Sequence, residues 1–275
     1  MTSTDTRPIC ALTIAGSDSG GGAGIQADLK TFAAHGVHGL CAIAALTAQH
    51  TRGVTAVHVP PIAMLRAQLD ACFEDFRVGA VKLGMLATAE VIHAVADALE
   101  RHAPPHVVLD PVMVATSGAR LLEPDALDAL RARLLPMSTV LTPNIPEAEL
   151  LLGQPITSAA QAADALRALR AAGARAVLLK GGHLDEGTRV IDRLLDGPDG
   201  TEFIHERLTV EGHGTGCTLA SSIAAHLCRG FTVRDACEAA TAYIARALAL
   251  GYRPGKGPVV VLDHFGAARV QCATE

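Results

Sequence analysis

Short apolar runs rich in Val, Ile and Leu alternate along the chain with longer segments in which apolar residues recur at helical spacing. The apolar runs predict strands at residues 9–15, 40–46, 78–83, 107–109, 139–141 and 176–179. The segments between them predict helices at residues 87–101, 125–135 and 158–172. Strands that alternate with helices are joined by right-handed crossovers, so we expect an α/β fold with a mostly parallel central sheet covered on both faces.

The pattern changes towards the C-terminus. Two short strands, at residues 189–195 and 202–208, flank a turn rich in Gly, Pro and Asp and predict a hairpin or an antiparallel edge. Two further helices are predicted at residues 217–228 and 233–250. The sequence shows neither a linker nor an internal repeat, so we expect one domain over residues 1–275, with a flexible N-terminus of about residues 1–8 and a C-terminal tail over about 267–275.

Composition narrows the class of function. Of the 275 residues, 49% are hydrophobic and 19% are charged, which is typical of a globular domain. The net charge of −5, the absence of a Lys/Arg cluster and the low aromatic content of 3% argue against nucleic-acid binding. No apolar run approaches the roughly 20 residues of a membrane span, and the N-terminus lacks an apolar signal core, so we expect a cytoplasmic protein.

Cysteine and histidine spacing gives no sign of a structural metal. The seven cysteines are scattered without a C-x-x-C pair, which is typical of reduced thiols in a cytosolic protein. The twelve histidines show no H-E-x-x-H or similar ligand spacing. A zinc site is therefore not expected.

A glycine-rich segment, Gly214-Thr215-Gly216-Cys217-Thr218, leads directly into a predicted helix. Backbone N–H groups at a helix start have no intrahelical partner, and glycines let an anion approach them, so the segment suits a phosphate cradle. A helix N-terminus lowers a thiol pKa, so we expect Cys217 to have thiolate character. The alternative is a glycine-rich loop before an ordinary core helix.

A second glycine-rich segment follows the first predicted strand and runs from Gly16 to Asp28. Gly22, Gly24 and Ala27 match the dinucleotide fingerprint formally, but they lie too far beyond the strand, and no acidic residue ends the second strand. We therefore expect a loop that wraps a small ligand, or one without a specialised role. Within it, Asp18 and Asp28 also suit helix-cap and first-turn carboxylates.

Polar side chains come after several other predicted strands, where the ligand crevice of a parallel sheet lies. Asp110, Asn144 with Glu147, and Lys180 each follow a strand, and Gln49 ends the second one. A capping box explains Asn144 and Glu147, and a turn explains Asp110, so a structural role remains open for each. In the crevice, the carboxylates and the amide would face Mg²⁺-bound water and phosphates, and Gln49 could read a heterocycle. With the anion cradle, these groups predict phosphoryl transfer to a small hydroxyl compound.

Seven segments in one order resemble a known family. They are residues 16–32, 45–49, 80–85, 109–115, 142–149, 180–183 and 213–218. They resemble the hydroxymethylpyrimidine/phosphomethylpyrimidine kinases of thiamine biosynthesis, in the ribokinase-like superfamily. The resemblance implies a three-layer α/β/α fold, usually a homodimer, that uses ATP and Mg²⁺. It also implies phosphorylation of 4-amino-5-hydroxymethyl-2-methylpyrimidine, and then of its monophosphate, to the diphosphate.

The same resemblance implies a role for each matched position. The pyrimidine would contact Gly16, Ala23, Asp28, Gln49, Met85 and Val112. The transferred phosphoryl group would contact Gly214, Thr215 and Gly216, and Cys217 stands where sugar-kinase relatives carry an Asp base. ATP phosphates would contact Lys180, Asn144 and Thr218, and Glu147 and Asp110 would hold Mg²⁺ through water.

Two other classes of function remain open. A pyridoxine or pyridoxal kinase is close in fold and in ring size, and Gln49 with the loop from Gly16 to Asp28 favours the pyrimidine. A non-catalytic ligand-binding module would have a damaged cradle or metal site, whereas the cradle, Asn144 and Glu147 are all present.

Overall fold

A computed structural model describes residues 6–114 and 121–272. Within these residues, nine strands form one sheet in the order β3-β2-β1-β4-β5-β6-β7-β8-β9. They are β1 (Ile9–Asp18), β2 (His38–His50), β3 (Gly53–His58), β4 (Arg77–Leu83), β5 (His106–Leu109), β6 (Val140–Leu141), β7 (Val177–Leu179), β8 (Arg189–Leu195) and β9 (Gly200–Glu206). A separate short parallel pair joins β10 (Gly212–His213) to β11 (Val260–Val261).

The centre of the sheet is parallel and both of its edges are antiparallel. Strands β2, β1, β4, β5, β6 and β7 run in one direction. At one edge β3 pairs antiparallel with β2, and at the other β8 and β9 form a hairpin against β7. The predicted parallel sheet and the predicted C-terminal hairpin are therefore confirmed.

Helices cover both faces of the sheet. They are α1 (Gly24–Ala34), α2 (Ile62–Asp75), α3 (Ala89–His102), α4 (Ala126–Ala129), α5 (Ile145–Leu152), α6 (Ala159–Ala171), α7 (Thr215–Cys228), α8 (Val233–Ala249) and α9 (His264–Cys272). On one face, α2 to α6 pack their apolar residues on the sheet, as Leu69, Leu99 and Leu166 show. On the other, α1, α7 and α8 do so through residues such as Phe32 and Ile223. The chain thus forms a three-layer α/β/α sandwich, as expected.

Several predicted helices are observed with shifted bounds or altered geometry. Helix α6 begins as predicted, with the Ser158 side chain accepting the Gln161 N–H. The segment predicted at residues 125–135 is α4, followed by one wide π turn over Leu130–Leu134 and a tight 3₁₀ turn over Leu135–Met137. The sequence pattern does not separate such turns from a regular α-helix, because apolar spacing hardly changes over one turn.

Several elements were not assigned from the sequence, among them α1 and the short pair of β10 and β11. Strand β3 and helix α2 occupy a stretch for which we made no assignment. Helix α9 extends over residues that we expected to form a C-terminal tail. Residues 1–5 of the predicted flexible N-terminus, the last residues of the tail, and Ala115 of the matched segments lie outside the described residues. In the described part of the chain, no helix combines the length and the apolar character that crossing a membrane requires.

The parallel strands all end on the same side of the sheet, and we call the line of their carboxyl ends the carboxyl edge. This edge receives the ends of β1 at Asp18 and β2 at His50, and the residues that follow β4, β5 and β7. The first residues of α1, α5 and α7 lie there too, because each of these helices starts after a loop on this edge. Residues that are far apart in sequence are therefore brought together at this edge.

Candidate active site

The N-terminus of α7 is held against the loop that follows β1. Gly214, the residue before the helix, has a φ of +83°, and a side chain there would place its Cβ 2.0 Å from the Gly22 carbonyl oxygen. Only glycine fits this conformation and this contact. Thr218 is the first residue of α7 whose N–H reaches the Gly214 carbonyl, at 2.9 Å. The N–H groups of the residues between them are free to bind an anion, which supports the predicted cradle.

Helix α7 has a fixed position because protein surrounds it. Every residue from Thr218 to Cys228 is buried, so the helix packs on all sides. The Ser221 hydroxyl donates to Asp28 Oδ1 at 2.7 Å, which ties α7 to α1. A rigid helix keeps its N–H groups aimed at one point, as binding of a transferred phosphoryl group requires.

Lys180 lies directly below the cradle. A Cβ on Gly216 would be 3.1 Å from Lys180 Nζ, so the absence of a side chain at Gly216 exposes the ammonium group to the cradle. The same Nζ is 2.9 Å from Asp110 Oδ1 and 3.6 Å from Glu147 Oε2. Burial alone would lower the pKa of Lys180, but the negative charges of Asp110 and Glu147 outweigh burial and raise it. Lys180 is therefore a full positive charge under the anion cradle.

Asn144 and Glu147 start α5 with a capping box. Asn144 Oδ1 accepts the Glu147 N–H at 2.9 Å, and Glu147 Oε2 accepts the Asn144 N–H at 2.8 Å. This confirms the structural interpretation of the pair. It does not remove the functional one, because Glu147 Oε2 also faces Lys180. Burial, opposed by Lys180 and reinforced by Asp110, raises the pKa of Glu147 to about 7.

The donor atoms near Lys180 fit Mg²⁺ in a water-mediated site. Asp110 and Glu147 supply hard carboxylate oxygens within reach of one cation. Mg²⁺ keeps several waters and is held by one or two carboxylates together with phosphate oxygens. Among residues 6–114 and 121–272, no group of three or more His, Cys, Asp or Glu side chains forms a protein-only metal site. The two carboxylates therefore suit a metal that arrives with a nucleotide.

A second buried lysine lies behind the cradle, and sequence analysis did not assign it a role. Lys82 Nζ and Asp28 Oδ2 are 3.0 Å apart, and both side chains are 0% exposed. Asp28 also accepts the hydroxyl groups of Thr13 at 2.6 Å and Ser221 at 2.7 Å. Burial alone would lower the pKa of Lys82, but the charge of Asp28, with that of Asp110, raises it.

This arrangement changes the interpretation of Asp28. The resemblance implied contact with the pyrimidine, but the carboxylate is enclosed and both oxygens already accept protein donors. The structure places Asp28 behind the wall of the crevice, where it holds Lys82 and α7. A ligand in the crevice would interact electrostatically with Asp28 without contacting its side chain.

Cys217 lies in the first turn of α7 and is half-buried. Burial raises the pKa of its thiol to about 11, and the nearby Lys82 charge, which acts in the opposite direction, does not compensate. The prediction of thiolate character is therefore wrong. The desolvation of the sulfur and the carboxylates of Asp28 and Asp110 outweigh the helix N-terminus.

Thr218 is turned away from the crevice. It is fully buried, and its hydroxyl lies 3.1 Å from His264 Nε2. The backbone N–H of Thr218 is committed to the Gly214 carbonyl. The structure therefore gives Thr218 a packing contact between α7 and α9, and does not place it beside a phosphate.

An apolar wall stands beside the cradle. Met85 and Ala45 are buried in a small cluster separate from the main core, and Val112 packs against it. A Cβ on Gly16 would lie 3.1 Å from Met85 Sδ, so Gly16 borders the same wall. Gln49 is half-buried at the end of β2. The structure thus brings together the predicted ring-binding residues Gly16, Met85 and Val112.

Asp18 and His213 also belong to this site, and sequence analysis assigned neither of them a functional role. Asp18 is 2% exposed and accepts the N–H groups of Gly20, Gly22 and Ala23 at 2.7, 3.0 and 2.8 Å. His213 Nε2 lies 3.0 Å from the same carboxylate. The available signals were an Asp before a glycine run, which is typical of a turn, and a His next to the cradle.

A cavity of about 410 Å³ lies elsewhere in the molecule. It is bordered by α6 and by the turn between β8 and β9. Leu195, at the end of β8, pairs with Val177 at the start of β7. This cavity therefore lies near the amino ends of the parallel strands, away from their carboxyl ends. Of its two arginines, Arg167 pairs with Asp164, and Arg170 donates to a backbone carbonyl. We therefore place the active site at α7.

The fold and the site define a class: an α/β/α sandwich of the ribokinase-like type, with a helix N-terminus and a buried lysine arranged for a phosphate group. The chain belongs to the phosphomethylpyrimidine kinase family, whose sequence profile matches residues 18–261. A hydroxymethylpyrimidine/phosphomethylpyrimidine kinase of Rhizobium meliloti is 50% identical over 261 residues, which is 93% of this chain and 96% of the relative.

Two solved structures are similar over most of the chain. Phosphomethylpyrimidine kinase from Clostridium difficile 630 is 40% identical with a TM-score of 0.79, covering 87% of this chain and 99% of its own. Pyridoxal kinase from Bacillus subtilis, in an ADP complex, is 34% identical with a TM-score of 0.88, covering 96% of this chain and 99% of its own. The family predicted from the sequence motifs and the expected fold are confirmed.

The buried pair of Lys82 and Asp28 gives a testable prediction. Replacement of one partner leaves an uncompensated charge, so Lys82→Met and Asp28→Asn should each lower the free energy of unfolding by roughly 3–5 kcal/mol. The double variant should lose much less than the sum of the two. Urea unfolding of the four proteins measures the coupling energy.

The exposed pair of Arg101 and Asp70, also 3.0 Å apart, is the matched control. Its cycle, with Arg101→Met and Asp70→Asn, should give a coupling energy below about 1 kcal/mol, as for surface ion pairs. Equal coupling energies for the two pairs would mean that burial does not strengthen the Lys82 interaction.

Proposed function

We propose that this chain transfers the γ-phosphoryl group of ATP to 4-amino-5-hydroxymethyl-2-methylpyrimidine, and then to its monophosphate, in thiamine biosynthesis. The observation that carries the proposal is the glycine-bounded N-terminus of α7, placed over Lys180 and beside the wall of Met85 and Val112. One side of the crevice thus suits phosphate and the other suits a small ring. Membership of the phosphomethylpyrimidine kinase family supports this substrate.

In the first transfer, the hydroxymethyl oxygen attacks the γ-phosphorus, the bond to the β–γ bridging oxygen breaks, and ADP leaves. The N–H groups of Thr215, Gly216 and Cys217 stabilise the charge on the transferred group. Lys180 adds a buried positive charge on the same side. Asp110 and Glu147 would hold Mg²⁺ through water, and the bound ion would supply positive charge at the nucleotide phosphates. We propose Asn144, which starts α5 beside Glu147, as a further contact of the nucleotide phosphates.

Cys217 is the candidate group for the proton of the hydroxymethyl group. With a thiol pKa of about 11, its thiolate is a strong base but a rare species at neutral pH. The monophosphate needs no such base, because its second pKa of ~6 leaves the attacking oxygen ionised. The two transfers therefore place different demands on one site.

A second candidate is phosphorylation of pyridoxine or pyridoxal, alone or as a side activity. It is favoured by the similarity to the pyridoxal kinase of Bacillus subtilis, which has a TM-score of 0.88. The identity to that protein, 34%, is lower than the 50% to the Rhizobium meliloti relative. We therefore place the pyrimidine first.

We further propose that the enzyme is cytoplasmic and acts as a homodimer on small molecules, without nucleic acid. The net charge of −5 disfavours a polyanion partner. Leu46 and Val57, at the β2–β3 edge, are 43% and 46% exposed, and a second copy could cover them. Apolar side chains exposed on an edge hairpin are typical of a surface that pairs with another chain.

The direct test is incubation of the purified protein with MgATP and the pyrimidine alcohol, with the products identified by mass. We expect the monophosphate first and the diphosphate later. Parallel reactions with pyridoxine and pyridoxal measure the second candidate. Turnover of pyridoxal but not of the pyrimidine would replace the first proposal with the second. If none of these substrates leads to consumption of ATP, the result would support a non-catalytic role.

The role of Cys217 gives a second prediction. Cys217→Ala should lower kcat for the alcohol by about 10²-fold or more, the usual range for a general base, and should affect the monophosphate far less. In the native protein, kcat for the alcohol should rise with pH between about 7 and 9 as thiolate forms, and the variant should lose this dependence.

Cys41→Ala is the control, because Cys41 is half-buried in β2, at the opposite end of the strand from Gln49. It should leave both transfers unchanged. Equal losses of both activities in Cys217→Ala would show that the thiol only shapes the pocket.

A further inference from the structure

Two loops of the site are in direct contact, and one side chain joins them. The loop after β1 meets the residues before α7, because a Cβ on Gly22 would lie 2.6 Å from His213 Cδ2 and one on Gly214 would lie 2.0 Å from the Gly22 carbonyl. The His213 imidazole reaches from this contact to Asp18 and to Gln49. It therefore connects the ring side of the site to the cradle.

The ionisation state of Asp18 determines which ring nitrogen of the His213 imidazole carries a hydrogen. Burial would raise the pKa of Asp18, but hydrogen bonds from His213, Gly20 and Ala23 outweigh it and lower the pKa. Asp18 is therefore an ionised carboxylate, which only accepts hydrogen bonds. His213 Nε2, 3.0 Å from Oδ2, must then carry a hydrogen and donate it.

This hydrogen fixes the orientation of the Gln49 amide. The amide nitrogen faces His213 Nε2 at 3.2 Å, so two donors oppose each other. The amide oxygen faces Thr47 Oγ1 at 3.1 Å, and the single Thr47 hydroxyl hydrogen goes to the Ser17 carbonyl at 2.9 Å. When the amide is turned over, its oxygen shares the single Nε2 hydrogen of His213 with Asp18 in a three-centre bond, and its nitrogen donates to Thr47. Neither contact then sets two donors or two acceptors against each other, and every hydrogen of the network has an acceptor.

We propose that His213, held by Asp18, is a specificity-determining positioning residue that locks the Gln49 amide in this orientation. One lone pair and one N–H of the amide are then left for a ligand. They complement a ring that carries an exocyclic amine beside a ring nitrogen that accepts. A 4-oxo ring has the reverse order, an acceptor beside an N–H, and it would meet an amide that cannot turn. The lock therefore selects amino over oxo pyrimidines.

The selectivity test rests on the proposed function, since it needs a pyrimidine that is turned over. We compare kcat/KM for the 4-amino alcohol and for its 4-oxo analogue. His213→Ala should raise KM for the amino compound, leave KM for ATP nearly unchanged, and narrow the amino/oxo ratio by about tenfold or more, as for a lost polar recognition contact. His213→Gln retains an N–H donor near the position of Nε2 and should recover much of the ratio.

His58→Ala is the matched control, because His58 is an exposed histidine at the end of β3. It should leave both KM values and the ratio unchanged. An unchanged amino/oxo ratio in folded His213→Ala would overturn the proposal. A loss confined to kcat, with the ratio preserved, would assign His213 to the cradle and would also overturn it.

A second measurement does not depend on activity. Long-range ¹⁵N–¹H NMR of the free protein should show His213 with a hydrogen on Nε2, and Asp18→Asn should alter that signal. A bare Nε2 in the native protein would contradict the lock even if the enzyme is active. If Nε2 carries the hydrogen but no pyrimidine is phosphorylated, the proposed function fails and the hydrogen-bond network stands.

Discussion

The close approach of two backbone segments is the constraint on which this site depends. Gly214 can begin α7 with positive φ only because no side chain separates it from the Gly22 carbonyl. This contact aims the first N–H groups of a fully buried helix into the crevice beyond the sheet. It also sets the loop after β1, which borders the ring side, directly against the cradle. Ring binding and phosphate binding therefore share one rigid junction.

Lysine side chains add positive charge to the phosphate site that the backbone N–H groups of α7 form. Lys180 and Lys82 approach the first turn of α7 from two sides, and each is paired with buried carboxylates. Buried ion pairs add little net stability over apolar packing, so their presence here fits a role in holding charge near a ligand. The same carboxylates and the same burial raise the pKa of the Cys217 thiol to about 11. One electrostatic arrangement thus attracts an anion and also keeps the thiol protonated until reaction.

The alternation of apolar runs and helical spacing predicted the layered fold and the hairpin, because parallel strands need crossovers and leave few topologies. It also placed Asp110, Asn144 and Lys180 at one edge, since all three follow parallel strands. What sequence could not show is which groups face one another. Asp28 and Lys82 lie on different elements, and only packing encloses them together. Burial, which spacing does not reveal, likewise reversed the expectation for the thiol.

The most direct measurement is a crystal structure with Mg²⁺, a non-hydrolysable ATP analogue and the pyrimidine alcohol. We predict that the oxygens of the terminal phosphate lie within hydrogen-bond reach of the N–H groups of residues 215–217, with the hydroxymethyl oxygen directed at its phosphorus. A terminal phosphate bound away from the start of α7, or a ring bound away from Met85, would contradict it.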